Sequence, residues 1–428
     1  MNNQTKVSAE EKMNDRLHTV RLDEVATKRS ENVDPSEVNV KRHVGLEHIL
    51  PNDPSPEWED ISNVSSTKRR FYAGDILFAK LRPNLEKVAQ PDFDGVCSTD
   101  IFTLTAAEGV NSRYLLYQLS TKPAFDWARR TASGTRMPRT SWGFLKEFEF
   151  ALPSIQEQKR IATILSTADE LIEKSQQIAN KCNRIKERHV PESISGQTTD
   201  EQTVDTRVGP KKIELPDSWE VKTIDSFADI KNGNRIVKGH EYADRETEYP
   251  FIRITDMKDG SVDTTDLKYL KPKTAEEMDR GIISSDDVYI TVTGSVGEAG
   301  TVPEELDGAR FTDNAAKLYN LNKVLNDYLK IYLRSKFGQD EVRRFTVGST
   351  QPKLSMYRVK RMEVIVPPLE VQEEIAETVD NFHQSIKSYK QYGQKLSRIK
   401  KGLLQDLVED NRPVPDKINI ENKIKKYE

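Results

Sequence analysis

Cysteine is nearly absent from this 428-residue chain, and its two copies, Cys97 and Cys182, stand far apart. Neither a disulfide framework nor a cysteine metal site is expected. The six histidines are scattered, without HExxH or similar ligand spacing, which argues against a structural zinc. No apolar run approaches the roughly 18 residues that a membrane span needs. The start of the chain, Met1 to Met13, is polar and carries acids, unlike a secretory signal. A cytoplasmic protein without membrane contact is expected.

Catalytic signatures are missing too. There is no Asn-Pro-Pro-Tyr or Asp-Pro-Pro-Tyr motif of an amino-methyltransferase, no glycine motif for its methyl donor and no Walker lysine. Pro216-Asp217 precedes Glu220-Val221-Lys222 too closely for a nuclease arrangement, and Pro415-Asp416 lies near the end of the chain. Gly294-Ser295-Val296-Gly297-Glu298-Ala299-Gly300 looks like a phosphate cradle, but it lacks the Lys-Ser or Lys-Thr pair and opens no clear helix. It reads as a tight surface turn that could touch a DNA backbone. The chain is built to bind rather than to catalyse.

What is present is a repeat. At an offset of 214 residues, half the chain, Pro153 falls on Pro367, Ile155 on Leu369, Gln158 on Gln372, Ile161 on Ile375 and Ala162 on Ala376. Upstream, Arg129-Arg130 falls on Arg343-Arg344 and Gly134 on Gly348, and Thr99-Asp100 meets Thr312-Asp313 after a one-residue slip. The chain therefore reads as two copies of one unit, each a globular part followed by a long helix.

Turn residues before short apolar runs predict strands at 74–79 and 101–104, answered in the second half by 287–292. Helical periodicity covers 111–130, with a break near Pro123, and 327–337. In the first long helix, apolar or small residues alternate by three and four, with Ile164, Leu171, Ile178 and Ile185 carrying the seam. A helix over 154–190 would be about 55 Å long. The second seam includes Phe382, Ile386, Leu396, Ile399 and Leu403, and is irregular at Tyr389, Tyr392 and Gly393. Two such helices in one chain most simply pack together, antiparallel.

The expected fold is α+β: two globular domains separated by two long helices packed as an antiparallel coiled coil, in a pseudo-twofold internal repeat. The expected boundaries are a mobile tail (1–17), a first domain (18–153), a first spacer helix (154–192), a linker without apolar period (193–214), a second domain (215–367), a second spacer helix (368–410) and a tail (411–428).

Net charge is −4, which by itself argues against nucleic-acid binding, but the cations cluster. From Arg113 to Lys146 the only acid is Asp126, and from Lys330 to Arg361 the acids are Asp340 and Glu341. Basic surface repeated at equivalent places suits phosphate contact. Candidate DNA contacts are Lys68, Arg69, Arg70, Lys80, Arg82, Arg129, Arg130, Arg136 and Arg139 in the first half. The second half offers Ser295, Arg343, Arg344, Thr350, Gln351 and Lys353. Arg and Gln can pair in bidentate fashion with guanine and adenine edges, while Lys, Ser and Thr more often hold phosphates. The competing reading of each arginine pair is a solvated helix face. His43 and His48 read as structural.

Taken together, the chain resembles the specificity subunit of a type I restriction-modification system. The resemblance rests on Val44-Gly45-Leu46-Glu47-His48-Ile49, the strand and loop from Gly74 to Pro83, their second-half version from Val288 to Gly300, and Gly348-Ser349-Thr350-Gln351-Pro352 with Leu354. The paired starts of the long helices complete it. It implies two target-recognition domains, each reading one half of a split site in double-stranded DNA, and helices that set the spacer and dock two modification subunits. It also implies no cofactor in this chain. S-adenosylmethionine would belong to the modification partner, and ATP and Mg to restriction/translocase subunits, two of which can join. A coiled-coil scaffold joining two peptide-binding units without DNA is the alternative.

Overall fold

The computed structural model describes residues 18–199, 201–236, 239–278, 281–348 and 350–414. The expected tail 1–17, most of the tail 411–428 and Ser349 of the second Gly-Ser-Thr-Gln stretch lie outside the described residues. The chain divides into two compact units, Met1–Gln177 with Tyr389–Glu428, and Ile178–Ser388.

The first unit is built on two sheets. A four-stranded sheet places Ile101–Ala106 between Ala26–Arg29 and Ile76–Ala79, with Val88–Ala89 at the edge. Ile76–Ala79 is buried at every position, as a short continuous apolar run should be. Its start is set by a turn in which Gly74 takes φ +86° and Asp75 accepts the Tyr72 N–H at 2.9 Å. A five-stranded sheet contains Lys68–Phe71, Gly95–Cys97 and Arg42–Val44. Asn111 caps helix Ser112–Leu119 by accepting the Tyr114 N–H, and Thr121 caps helix Lys122–Arg130, so that Pro123 sits in a first turn where no N–H is needed. His18–Arg21 pairs antiparallel with Glu149–Leu152, the strand that leads into the first long helix.

The second unit repeats this plan. Ala315–Tyr319 lies between Asp229–Asn232 and Val288–Thr291, Ala299–Thr301 forms the edge, and Glu220–Thr223 pairs with Glu363–Val366 before the second long helix. Helices Asn326–Arg334 and Lys336–Phe345 stand where 112–119 and 122–130 stand in the first unit. Residues 203–214, read above as part of a linker, instead form a two-stranded hairpin together with Leu215 and Pro216. Val208 and Leu215 enter the core of the second unit, and the Gly209 N–H donates to Glu363 at 2.6 Å. Its polar composition hid it, because a hairpin lying on a domain has to bury only one residue in several.

The long helices span Ile155–Ile194 and Leu369–Leu404. Within the first unit Lys400 pairs with Asp169, and a Cβ on Gly393 would meet the Ser175 hydroxyl at 2.6 Å. Within the second unit Lys186 contacts His383 at 3.2 Å, and His189 lies edge-on to Phe382 at 6.3 Å. In both cases numbers rise along one helix as they fall along the other, so the pair is antiparallel. Leu396, Ile399 and Leu403 are buried.

The first helix requires a correction by one residue. Ile178 and Ile185 are exposed, Ile164 and Leu171 only half-buried, and the buried positions are Ile161, Leu165, Ala168, Ser175 and Ala179. Ile161, Ala168 and Ser175 are the weaker alternates of the expected seam and are buried, while its larger members at 164, 171, 178 and 185 give way to positions one residue on, Leu165 and Ala179 among them. Ala168, Ser175, Ala179 and, opposite, Gly393 suit the seam because small residues let two helices approach closely.

Candidate nucleic-acid interface

In each unit two loops are held side by side at the end of the central sheet. In the first, the loop after Ile76–Ala79 meets the loop 133–139: Ser133 and Arg139 exchange backbone hydrogen bonds, Arg82 N–H donates to Pro138 at 2.7 Å, and Thr140 N–H donates to Lys80 at 3.0 Å. Asp100, at the start of the neighbouring strand, ties them further. Its carboxylate accepts Arg139 Nε and Nη2, both at 3.0 Å, and lies 3.5 Å from Lys80 Nζ. Arg139 and then Lys80 hold this carboxyl below its ordinary range. Lys80 and Arg139 are thus brought together as supports. The Arg82 and Arg136 side chains are exposed and make no ion pair among the described residues. Arg82 takes φ +51°, an uncommon conformation for a non-glycine residue, often associated with function.

The second unit builds the same pair from different residues. Val347 and Lys353 exchange backbone bonds, Thr293 bridges Lys353, and Leu354 N–H donates to Val292 at 2.9 Å. Ser295, Thr350, Gln351 and Lys353 are exposed there. The glycine loop closes on itself: Gly297 N–H donates to the Thr291 carbonyl, Glu298 N–H to the Thr291 hydroxyl, and Thr291 Oγ1 to the Ser295 carbonyl. With these donors occupied it is a tight turn, not a phosphate cradle.

Other candidates stand elsewhere. Lys68 is buried and its amine donates to Ser66 O and Oγ at 3.0 and 2.6 Å, so it is not offered to a phosphate. Arg69 is half-buried, with Nε and Nη1 enclosed, and Arg70 lies 3.7 Å from Asp94 and over the Tyr72 ring. All three belong to the five-stranded sheet. Arg129 pairs with Asp126 and, at 2.9 Å, with Glu86, while Arg130 lies over Trp127. Arg343 pairs with Asp340, and Arg344 with Glu341 at 2.9 Å. Lys211 of the hairpin also pairs with Asp340 and, with Arg343, lowers that carboxyl's pKa. For Arg129, Arg343 and Arg344 the solvated-face reading gains ground, because each already has an acid.

His43, His48 and Glu59 are the one three-donor cluster among the described residues. His43 Nδ1 lies 2.9 Å from Glu59, and His48 Nδ1 accepts Gly45 N–H at 2.9 Å, so two of its ring nitrogens are already engaged. Burial lowers the His43 pKa. Buried Cys97 has its thiol pushed up to about 12 and is inert.

Sequence reasoning missed two features. Asp100 was noted only as a mark of the repeat, and nothing in its spacing announced a clamp. The other is a junction at the long helices: Tyr117 OH donates to Asp169 at 2.6 Å, and Asp169 pairs with Lys400.

With this geometry in place, comparison with known proteins is informative. The family model for the type I restriction modification DNA specificity domain matches twice, over residues 15–184 and 216–398. The type I restriction enzyme MjaIX specificity subunit of Methanocaldococcus jannaschii is 24% identical over 311 residues, covering 70% of this chain and 69% of that protein. The crystal structure of the type I restriction-modification system S subunit from M. genitalium aligns with TM-score 0.53 and 16% identity over 94% of this chain and 97% of that one. A chain from a structure concerned with complex assembly and conformational transition of the type I R-M system aligns with TM-score 0.54 and 19% identity over 91% and 97%. The chain belongs to the type I restriction-modification DNA specificity family, and as a specificity subunit it is a non-catalytic component of such a system. The family has no cofactor of its own, and membership implies DNA and other complex subunits as partners. No helix among the described residues is long and apolar enough to cross a membrane.

Proposed function

We propose that each recognition domain reads one half of a bipartite site in double-stranded DNA, and that the long helices set the spacer between halves and dock two modification subunits. The observation that carries this reading is the paired loops, built alike in both units but tipped with different side chains: Arg82 and Arg136 in one, Thr350, Gln351 and Lys353 in the other. A shared scaffold with divergent tips suits two different half-sites. Arg136 and Gln351 are assigned to base edges, and Lys80, Arg82, Arg139, Ser295, Thr350 and Lys353 to phosphates or to supporting the loops. The partners would supply S-adenosylmethionine for methylation, and restriction/translocase subunits would bring ATP and Mg, all in the cytoplasm.

Sequencing the methylated motifs in a host carrying this chain with its partners tests the reading. Arg136→Ala should relax one half-site and Gln351→Ala the other, each costing roughly 1–3 kcal/mol of discrimination. Arg82→Ala should weaken binding to all sequences and reduce its salt dependence. Uniform loss from all three would remove the assignment of base readers.

A further inference from the structure

We infer that Gln158 and Gln372 are positioning residues that hold each recognition domain at a set angle to its long helix and thereby restrict the spacer length the protein accepts. This rests on the bipartite reading above. Both side chains are essentially fully buried, at 1% and 0% exposure, where a primary amide persists only if it is hydrogen-bonded. Gln158 Oε1 accepts the backbone N–H of Asn111 at 2.9 Å, and its Nε2 donates to the Pro153 carbonyl at 2.8 Å. Gln372 Oε1 accepts the N–H of Leu325 at 2.8 Å, and its Nε2 donates to Pro367 at 2.8 Å and to Lys323 at 3.1 Å.

Two partners are equivalent in both units, Asn111 with Leu325 and Pro153 with Pro367, each 214 residues on, and the Lys323 carbonyl is an addition in the second. Asn111 and Leu325 stand at the N-caps of the equivalent helices Ser112–Leu119 and Asn326–Arg334, and Pro153 and Pro367 follow the strand that leaves each domain. One amide on the first turns of the long helix therefore grips the domain at two separate elements. A second joint runs beside it: Tyr114 OH donates to Ala151 at 3.4 Å and Tyr328 OH to Ile365 at 2.7 Å. The tyrosines tie a domain helix to a domain strand, so they stiffen the domain. The glutamines reach from the long helix into it by both a donor and an acceptor, and a small rotation there would be multiplied by the domain's length at the DNA-reading loops.

The test uses the full chain with its partners in a host, and reads the methylated motifs. The wild type should methylate one bipartite motif with one spacer length; if it methylates no bipartite motif, the function proposed above fails and the joint is not the cause. Gln158→Ala and Gln372→Ala should leave both half-site sequences unchanged while methylation at spacers one base pair shorter or longer rises roughly tenfold, the scale of a lost buried hydrogen bond. Gln158→Met fills the same space without the polar atoms and should behave like Gln158→Ala. An unchanged single spacer in the Ala or Met variants overturns the inference, and so does a change in half-site sequence. Failure of both variants to assemble with the partners would make the glutamine a requirement of folding and likewise overturn it.

Discussion

The two units answer one another residue for residue at the helix pair, yet they settle the same place with opposite chemistry. In the first, Asp169 receives Tyr117 OH at 2.6 Å and pairs with Lys400, with Arg113 3.9 Å away. In the second, the equivalent of Asp169 is His383, the equivalent of Lys400 is Lys186, and Tyr117 is replaced by Ile331. The Lys186 ammonium meets the His383 ring at 3.2 Å, at the place where Lys400 meets Asp169. One copy of the joint is a charged anchor bridging a domain and both helices, while its counterpart becomes like-charged as soon as the imidazole takes a proton. Duplicated backbones thus keep their geometry while the electrostatics diverge.

Removing the anchor should have the largest effect. Asp169→Ala takes the carboxylate from Lys400, whose side chain is 13% exposed and which keeps the Asn52 carbonyl at 3.2 Å, and leaves the Tyr117 hydroxyl without its closest acceptor. A loss of roughly 2–4 kcal/mol is expected, read by urea denaturation of the full chain, whereas His383→Ala should cost far less. Equal losses would erase the distinction between the units.

Overfilling the seam comes next and should strike both units alike. Ala168→Leu in the first and Ala179→Leu in the second each push a branched chain into a buried, closely approached position. Each should cost about 1–3 kcal/mol. Ile178→Ala and Ile185→Ala, on the exposed stripe, should stay within about 0.5 kcal/mol. A large loss from Ile185→Ala would restore the stripe expected from sequence.

The smallest effect is the pH dependence of the second unit's joint. Desolvation of the ring beside the neighbouring helix, and then the Lys186 charge, lower the His383 pKa below its usual 6.5. Below that value the unfolded chain binds the proton more readily, so the contribution is complete above pH 6.5 and is lost as pH falls through the folded-state value. His383→Asp should remove this acid sensitivity and contribute up to about 0.5 kcal/mol at neutral pH. Thermal melts at several pH values, wild type against variant, measure it. Parallel melting curves would show that the histidine plays no part.

Much of the architecture was readable because a duplicated chain repeats its marks. Gln158 and Gln372, the prolines before them and the paired arginines mark two domains and two helices along the chain. Individual side chains were less readable. Lys68 and Arg82 look equally basic in sequence, but one amine is folded back onto Ser66 and the other cation stands in solvent. Arg139 and Arg136 are three residues apart, and only the position of Asp100 makes one a strut and leaves the other free.

The sequence by itself determined the repeat, the α+β domains, the long helices and the family resemblance, because periodicity and order along the chain are local properties. Tertiary structure alone decided which of two adjacent stripes became the helix seam, that the polar stretch 203–216 folds as a hairpin, and which cations keep a free charge. Those outcomes depend on how closely two backbones approach and where the nearest carboxylate lies, and neither distance is written in residue spacing.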